Sequence, residues 1–418
     1  DVALDSLKCY CNDPVSNFTR CRKLPARTLI ECIMSFSNYS SIGELSHFFE
    51  GRGKMPSASA LSQRRKLLDP DIFKRINNLF VSAFDDHTTI NGYHILAQDG
   101  SDVNIPFLDD KTKIENHDAK SFCQYHVNAL YDCLNKVFYD WSIDAASKKR
   151  EVNALISILK DRNYPQNSIF TADRGYESYN LMAHFIENDI KFVIRVKDIH
   201  TKVGLMTNVR TEEGAFDMRI RRTLTSLQTK EIKANKEKYI FVPTTSNFDF
   251  LDETRVFYDL SFRAVRFKIS EDVYETVVTN LSEEEFGTDD FKELYHYRWN
   301  EETAFNKLKY TIGLVYFHAR KRKLIQQEIN AAFLMYNVSE VIIRNIYLKK
   351  NKKPELEYDY KPNFSSAVTN IRLYLRKKIN MKELILRIKK FLVPRRPERS
   401  FERNIKSQSC KPLNYRTS

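Results

Sequence analysis

The order of strand-like and helical segments between residues 93 and 196 constrains the fold of this chain more than any other feature. Apolar residues that recur with a period of two predict strands, and those that recur with a period of 3.6 predict helices. In chain order these patterns give three strands (Tyr93 to Gln98, Gln124 to Cys133, Val137 to Ile143), a helix (Ser147 to Lys160), a strand (Ile169 to Ala172), a helix (Ser178 to Glu187) and a strand (Lys191 to Val196). A hairpin followed by alternating helices and strands favours a mixed sheet. We therefore predict an α/β fold, with a mixed sheet flanked by helices.

Two aspartates lie where strands of this pattern end. Asp99 follows the first strand, in AQDGS, and Asp173 follows the fourth, in TADRGY. In an open α/β sheet, functional groups gather at the carboxyl ends of the strands. Each aspartate taken alone is also an ordinary turn residue. Because Gly100, Ser101 and Asp102 indicate a turn, Asp102 is an alternative to Asp99 at this position.

A third carboxylate comes from a helix predicted over Phe291 to Val315, which contains no proline and has its first glycine at Gly313. On a helical wheel, four polar residues share one narrow stripe. They are Tyr295, Arg298, Glu302 and Lys309. A neighbouring stripe is apolar and is the face that we expect to be buried: Leu294, Tyr297, Phe305, Leu308 and Ile312. The simpler interpretation is a solvated helix face, with Arg298 and Glu302 as an ordinary i,i+4 ion pair.

The three acids are suited to binding divalent metal ions. Phosphoryl transfer on a nucleic acid can use two Mg²⁺ ions roughly 3.5–4 Å apart. Mg²⁺ needs few carboxylates because substrate phosphates complete its shell. Asp99, Asp173 and Glu302 would supply those oxygens, while a nearby arginine, lysine and tyrosine suit phosphate groups.

The remaining segments suggest further units. Residues 1–88 are helical in pattern, and one helix places Arg64 and Arg65 on an early turn, either against DNA or on a solvated face. Residues 199–288 are rich in strand-forming residues and predict a β-rich insertion. Residues 349–418 form a basic C-terminal region, and from Arg387 onward we expect an extended or disordered tail that binds DNA through its like charges.

Composition limits the classes of partner and environment. A net charge of +13 favours an anionic polymer or surface. The chain has no stretch of about 18 apolar residues, so no membrane-spanning helix is predicted. Seven cysteines, an odd number, predict reduced thiols and a cytoplasmic protein rather than a disulfide framework. A zinc site remains an alternative for four early cysteines: Cys9, Cys11, Cys21 and Cys32.

Three motifs together resemble the insertion-sequence-four family of DDE transposases. The spacing Tyr-x2-Arg-x3-Glu-x6-Lys matches its Y-R-E-K signature at Tyr295, Arg298, Glu302 and Lys309, and AQDGS and TADRGY match the segments of its first two acids. The resemblance implies an RNase H-like catalytic core in two parts, residues 89–198 and 289–348. It also implies the β-rich insertion between them, an N-terminal all-helical DNA-binding domain and a basic C-terminal region.

The resemblance further implies cut-and-paste DNA transposition that depends on two Mg²⁺ ions, with Mn²⁺ as a substitute. Asp99, Asp173 and Glu302 would be the catalytic metal ligands. Tyr295, Arg298 and Lys309 would contact backbone phosphates near the cut. The residues themselves, rather than the resemblance, add Trp299, Arg64 and Arg65 as candidates for contact with DNA. Trp299 would stack on a flipped base, unless it packs on the core.

The implied partner is double-stranded DNA, both the terminal inverted repeats of the element and the target. A homodimer is expected in the synaptic complex, in a prokaryotic cytoplasm, associated with the nucleoid and not with a membrane. Two alternatives stay open. One is a catalytically silent, domesticated DNA-binding protein, and the other is a simple RNase H-like nuclease that cuts without joining.

Overall fold

A large mixed sheet with helices on both faces forms the centre of the structure. The structure is a computed structural model and describes residues 7–20, 23–84, 87–106, 112–114, 122–146, 150–199, 201, 204–211, 213–243, 245–246, 248–271, 273–348 and 359–395. The sheet has ten strands, and this confirms the predicted mixed sheet flanked by helices.

Helices form the part of the chain before the sheet. After a 3₁₀ turn at Leu7–Tyr10 come α1 (Ala26–Met34), α2 (Ser41–Phe49), α3 (Ala58–Lys66) and α4 (Asp71–Ser82). Ser40 and Ser57 cap α2 and α3 by accepting backbone N–H bonds in the first turn. The apolar faces of these helices pack together and against Ala331 and Leu334, which belong to a later helix.

The central strands come from residues 94 to 196. They are β1 (His94–Ile105), β2 (Lys113–Ile114), β3 (Phe122–Asp132), β4 (Val137–Ala145), β5 (Ser168–Ala172) and β6 (Lys191–Val196). Two helices, α5 (Glu151–Asp161) and α6 (Tyr179–Glu187), lie between them in sequence. The pairs β1–β3 and β3–β4 are antiparallel, while β1–β5 and β5–β6 are parallel.

The turn predicted at Gly100, Ser101 and Asp102 is wrong, because β1 continues through these residues to Ile105. Strand β3 provides a continuous antiparallel partner, with Asp99 opposite Ala129 and Asp102 opposite His126. Glycine is required at position 100 because the backbone lies close to His126, and not because the chain turns there. A Cβ at Gly100 would lie 2.3 Å from His126 Nε2. Asp99 therefore lies inside a strand.

The β-rich region extends this same sheet. Its elements are β7 (Phe216–Thr225), α7 (Lys230–Ala234), β8 (Tyr239–Phe241), β9 (Phe257–Ser270) and β10 (Val273–Thr279). Strand β10 pairs antiparallel with β6, and β9 then pairs with β10 and β7.

The single helix predicted from Phe291 to Val315 is interrupted. It consists of α8 (Asp290–His296), α9 (Trp299–Asn306) and a π-helical segment, Lys307–Ile312. At the first junction the N–H groups of Arg298 and Glu301 bond to carbonyls three residues earlier, which tightens the turn. The long helix α10 (Arg322–Leu348) follows. None of the helices in the described ranges is long and apolar enough to cross a membrane.

The extended tail predicted from Arg387 is wrong for residues 387–395. Residues 359–395 form β11 (Asp359–Pro362), α11 (Phe364–Leu375), α12 (Met381–Lys390) and β12 (Leu392–Arg395), with β11 and β12 paired antiparallel. Leu384 and Ile388 of α12 are buried, and this apolar stripe makes the segment helical despite its positive charge. Residues 349–358 and 396–418 lie outside the described residues.

A buried network of charges joins the N-terminal helices to α10. Arg65 is 3% exposed, and its guanidinium lies 2.8 Å from Glu328 and also donates to Gln327. His318 lies between Glu328 (3.1 Å) and Glu44 (3.3 Å). Burial alone would raise the pKa of Glu328, but Arg65 and His318 lower it to about 2. The predicted contact of Arg65 with DNA conflicts with this burial, which gives Arg65 a structural role.

We expect Arg65→Leu to destabilise the protein by about 3–5 kcal/mol, because it leaves the Glu328 carboxylate buried without its main partner. Denaturant unfolding at neutral pH measures this free energy. Arg27→Leu is the matched control: Arg27 forms an i,i+4 pair with Glu31 but is 64% exposed, so its removal should cost at most about 1 kcal/mol. Equal losses in the two variants would contradict a stabilising role for the buried network.

Candidate active site

The parallel pairing of β1 and β5 brings the first two acids side by side. Ala97 of β1 pairs with Thr171 of β5, so two residues further along the same register Asp99 and Asp173 lie level with each other. Adjacent strands are about 4.8 Å apart, and residues at the same level point to the same side. Asp173 directly follows β5, where its Oδ1 accepts the Gly175 N–H (2.8 Å).

The third acid comes from α9, which packs against β1. Burial raises the pKa of Asp99 to about 6. The backbone N–H of Gly100 and the charge of Arg298 work against this rise, whereas the charges of Asp173 and Glu302 add to it. The charges of both other predicted metal ligands therefore contribute to the raised pKa of Asp99, although the three residues belong to segments far apart in sequence.

Asp102, the alternative to Asp99, faces the other side of the sheet. Its Oδ1 lies 2.7 Å from Nδ1 of the buried His126, whose Nε2 is 3.1 Å from Glu151 at the start of α5. Residues three apart on a strand point to opposite faces. Asp99 is thus the acid on the α9 side, among the odd-numbered residues of β1 that pack against α8 to α10.

Arg298 is the counter-ion of this acidic group. It is only 4% exposed, and its guanidinium donates to Glu302 Oε1 at 3.1 Å. Burial lowers the pKa of Arg298, but Tyr295, Glu302 and Asp99 outweigh burial and raise it above its ordinary value. The predicted i,i+4 pair exists, with Arg298 buried and Glu302 30% exposed.

Tyr295 is also buried, at 2% exposure, which the helical wheel did not predict. Two guanidinium groups approach its ring, with Arg298 5.6 Å and Arg195 5.8 Å from the ring centroid. Arg195 was not predicted from the sequence. The sequence feature that could have indicated Arg195 is that it is the single charged residue in the otherwise apolar end of β6, FVIRV. Two cations therefore meet at this tyrosine.

Trp299, Lys309 and Arg64 are accessible to different degrees. Trp299 is 41% exposed and has the Arg298 guanidinium 5.1 Å from its ring, so it does not pack into the core. Lys309 is half-buried in the π-helical segment. Arg64 is half-buried, stacks on Phe18 and donates to the Leu24 carbonyl. Contacts of these three with DNA remain predictions.

Glu301, next to Glu302, is a second residue that the sequence did not single out. It is fully buried, and burial together with Asp99 raises its pKa well above the ordinary value. Two adjacent glutamates in the sequence could have indicated it, because a helix turns their side chains about 100° apart.

The donor chemistry fits a hard divalent cation, since all three acids offer carboxylate oxygens. Within the described ranges, however, no group of three or more His, Cys, Asp or Glu side chains is placed so that it could hold a metal ion. This also applies to the zinc alternative: Cys9, Cys11 and Cys32 have free thiols, and Cys21 lies outside the described residues. The Arg298–Glu302 ion pair shows that one of the acids has a protein partner in this state.

We expect Asp99→Asn to be more stable than the wild type at pH 8 in the absence of divalent ions. The folded state raises the pKa of Asp99 from 3.8 to about 6, so its favourable contribution is complete below pH 3.8 and is lost as the pH rises through 6. The gain should reach at most about 3 kcal/mol at pH 8 and vanish near pH 4.

Denaturant unfolding at pH 4, 6 and 8 measures this dependence. Asp249→Asn is a control of opposite sign, because a hydrogen bond from His184 lowers the pKa of Asp249 and its stabilisation is present above the unfolded pKa. A pH-independent effect of Asp99→Asn would show that the carboxyl is not held in this environment.

Comparison with known proteins identifies the family. A family model described as the transposase DDE domain matches residues 90–338, more than half of the chain and a range that contains all three acids. A solved structure with some similarity is a cryo-EM structure of a piggyBac transposase synaptic complex with hairpin DNA, with 11% identity, coverage of 96% of this chain and 84% of that chain, and a TM-score of 0.45. No curated protein matches. Since the TM-score is low, the assignment rests on the sequence match, and by that match the chain belongs to the transposase DDE domain family.

Proposed function

We propose that this protein is a DDE transposase of the insertion-sequence-four type, which cuts an insertion sequence out of DNA and joins it to a target with the help of Mg²⁺. One observation carries the proposal. Asp99, Asp173 and Glu302 come from a strand, a strand end and a helix that are far apart in sequence, yet the parallel pairing of β1 with β5 and the packing of α9 on β1 bring these three segments together. This convergence is what two-metal phosphoryl transfer requires.

The topology supports an RNase H-like core. The strand order β4–β3–β1–β5–β6 has three antiparallel strands followed by two that run parallel to β1. Helix α9, which carries Glu302, follows the β-rich region in sequence and returns to pack on β1. Because β7 to β10 extend the sheet beyond β6, an inserted region is compatible with one continuous core.

Each residue of the proposed site has a distinct role. Asp99, Asp173 and Glu302 would hold two Mg²⁺ ions, with Mn²⁺ as a substitute, and such ions would supply an activated nucleophile and stabilise the leaving oxygen. Arg298 would bind a backbone phosphate near the cut, since its bidentate guanidinium suits phosphate as well as the carboxylate it now contacts. Lys309 would contact a neighbouring phosphate, and the exposed ring of Trp299 would stack on a base turned out of the helix. Tyr295 and Arg298 are 2% and 4% exposed, so a phosphate contact by either requires DNA binding to uncover this part of the site.

The partner in this proposal is double-stranded DNA, both at the inverted repeats of the element and at the target. The positive net charge supports binding to a polyanion. We infer a homodimer in the synaptic complex, since two ends must be held together, and a location on the nucleoid of a prokaryotic cell.

We expect Asp173→Asn and Glu302→Gln to abolish DNA strand cleavage, with at least a 10³-fold loss of rate, while DNA affinity changes by less than about threefold. Both substitutions keep the size of the side chain and remove a charged metal ligand. Cleavage of labelled DNA that carries the element's ends, followed on denaturing gels with Mg²⁺, measures the rate, and gel-shift titration measures affinity.

Asp144→Asn is a suitable control, because this acid lies on β4, hydrogen-bonds to Ser142 and is not part of the proposed site. It should cleave at the wild-type rate. Joint loss of binding and cleavage in the Asp173 and Glu302 variants would indicate a structural role. Absence of cleavage by the wild type would favour a silent DNA-binding protein, and cleavage without joining would favour a nuclease.

A further inference from the structure

Arg195 lies at the same edge of the sheet as the first two acids. Strand β5 pairs with β6 in parallel, and their last observed pair is Ala172 with Ile194. The same register carried one residue further brings Arg195 level with Asp173. Asp99 is level with Asp173 by the register of β1 and β5. Three neighbouring strands therefore bring two acids and an arginine to one level, with about 4.8 Å between adjacent strands.

The side chain of Arg195 points to the face of the sheet that carries α8 and α9. Val193, two residues earlier on β6, belongs to the apolar cluster on this face, together with Ala97 of β1. Side chains two residues apart on a strand point to the same side. The ring of Tyr295 on α8 lies 5.8 Å from the Arg195 guanidinium, which agrees with this direction. Arg195 and Asp99 therefore face the same side of the sheet.

The protein uses only part of the hydrogen-bonding capacity of the Arg195 guanidinium. One of its terminal nitrogens lies 2.9 Å from Glu275 on β10, and the side chain is 22% exposed. Its Nε is buried and makes no hydrogen bond within the described part of the chain. An arginine has five N–H donors in a rigid fork that suits a phosphate group. Donors therefore remain for a ligand, and part of the side chain is open to solvent.

We propose that Arg195 is a DNA-binding residue that holds a backbone phosphate next to the one bound at the three acids. That the partner is DNA rests on the proposed function. A DNA strand that places one phosphate at the acids also brings its neighbouring phosphates there, and Arg195 is two strand spacings, about 10 Å, from Asp99. Arg195 is the more accessible of the two arginines beside Tyr295, since the side chain of Arg298 is only 5% exposed. Without DNA, the carboxylate of Glu275 balances the charge of Arg195.

Gel-shift titration of the full chain with a duplex that carries the element's end tests this inference, in EDTA so that the DNA stays uncut. We expect Arg195→Gln to weaken binding about tenfold, because charge-assisted hydrogen bonds to a phosphate are lost. A plot of log affinity against log salt concentration should also become less steep by about one unit, since one phosphate contact is removed. Arg195→Lys keeps the charge and should retain the wild-type slope, with a smaller loss of affinity.

Glu275→Gln is the matched control, because it breaks the same ion pair from the other side. Either substitution leaves one partner without its counter-ion, so both should lower the thermal unfolding midpoint. A loss of DNA affinity should follow only from removal of the arginine, and Glu275→Gln should bind as tightly as the wild type or more tightly. Equal losses of affinity in the two variants would overturn the inference, as would an unchanged affinity and salt slope in Arg195→Gln.

The cleavage assay keeps this inference separate from the proposed function. If the wild type cleaves DNA and Arg195→Gln binds it as the wild type does, the proposed function stands and the inference fails. If the wild type binds DNA with the expected contribution of Arg195 but cleaves none with Mg²⁺, the inference stands and the proposed function fails.

Discussion

The parallel pairing of β1 with β5 is the constraint on which the candidate site depends. Its observed register ends at Ala97 and Thr171, and the same register carried two residues further brings Asp99 of β1 level with Asp173, just after β5. The site needs one more element, and α9 supplies it by packing on the α8-to-α10 side of the sheet, where the odd-numbered residues of β1 point. The geometry of the three acids thus follows from backbone pairing and apolar packing.

Placing acids together in a partly buried position has an energetic cost, and the structure shows how it is met. Burial raises the pKa of Asp99, and the neighbouring carboxylates add to this. Arg298 counteracts it from inside the protein, where its own charge is stabilised by the Glu302 carboxylate and by the face of the Tyr295 ring. The same arginine is suited to phosphate. In our proposal, cations and DNA take over the neutralisation that Arg298 provides in this state.

Much of the site was predictable from sequence because it depends on local signals. The strand order, the aspartates after short apolar runs and the Y-R-E-K spacing are all visible in the chain. The sequence predictions that the structure contradicts concern residues whose positions depend on partners distant in sequence. Strand β1 runs through the expected turn because β3 pairs with it, and Arg65 is buried because Glu328, more than 260 residues later, neutralises it. Burial of Tyr295 also depends on residues distant in sequence, since its ring lies in the apolar cluster against the sheet and beside Arg195 of β6.

The central claim is that residues 99, 173 and 302 share bound divalent ions, and iron-directed cleavage of the polypeptide tests it most directly. Fe²⁺ that replaces Mg²⁺ generates hydroxyl radicals when ascorbate and peroxide are added, and these cut the backbone next to the ligands of the metal. The account predicts three cuts, close to Asp99, Asp173 and Glu302, which excess Mg²⁺ suppresses together. Cuts at only one of these positions, or at sites elsewhere that Mg²⁺ suppresses, would contradict it.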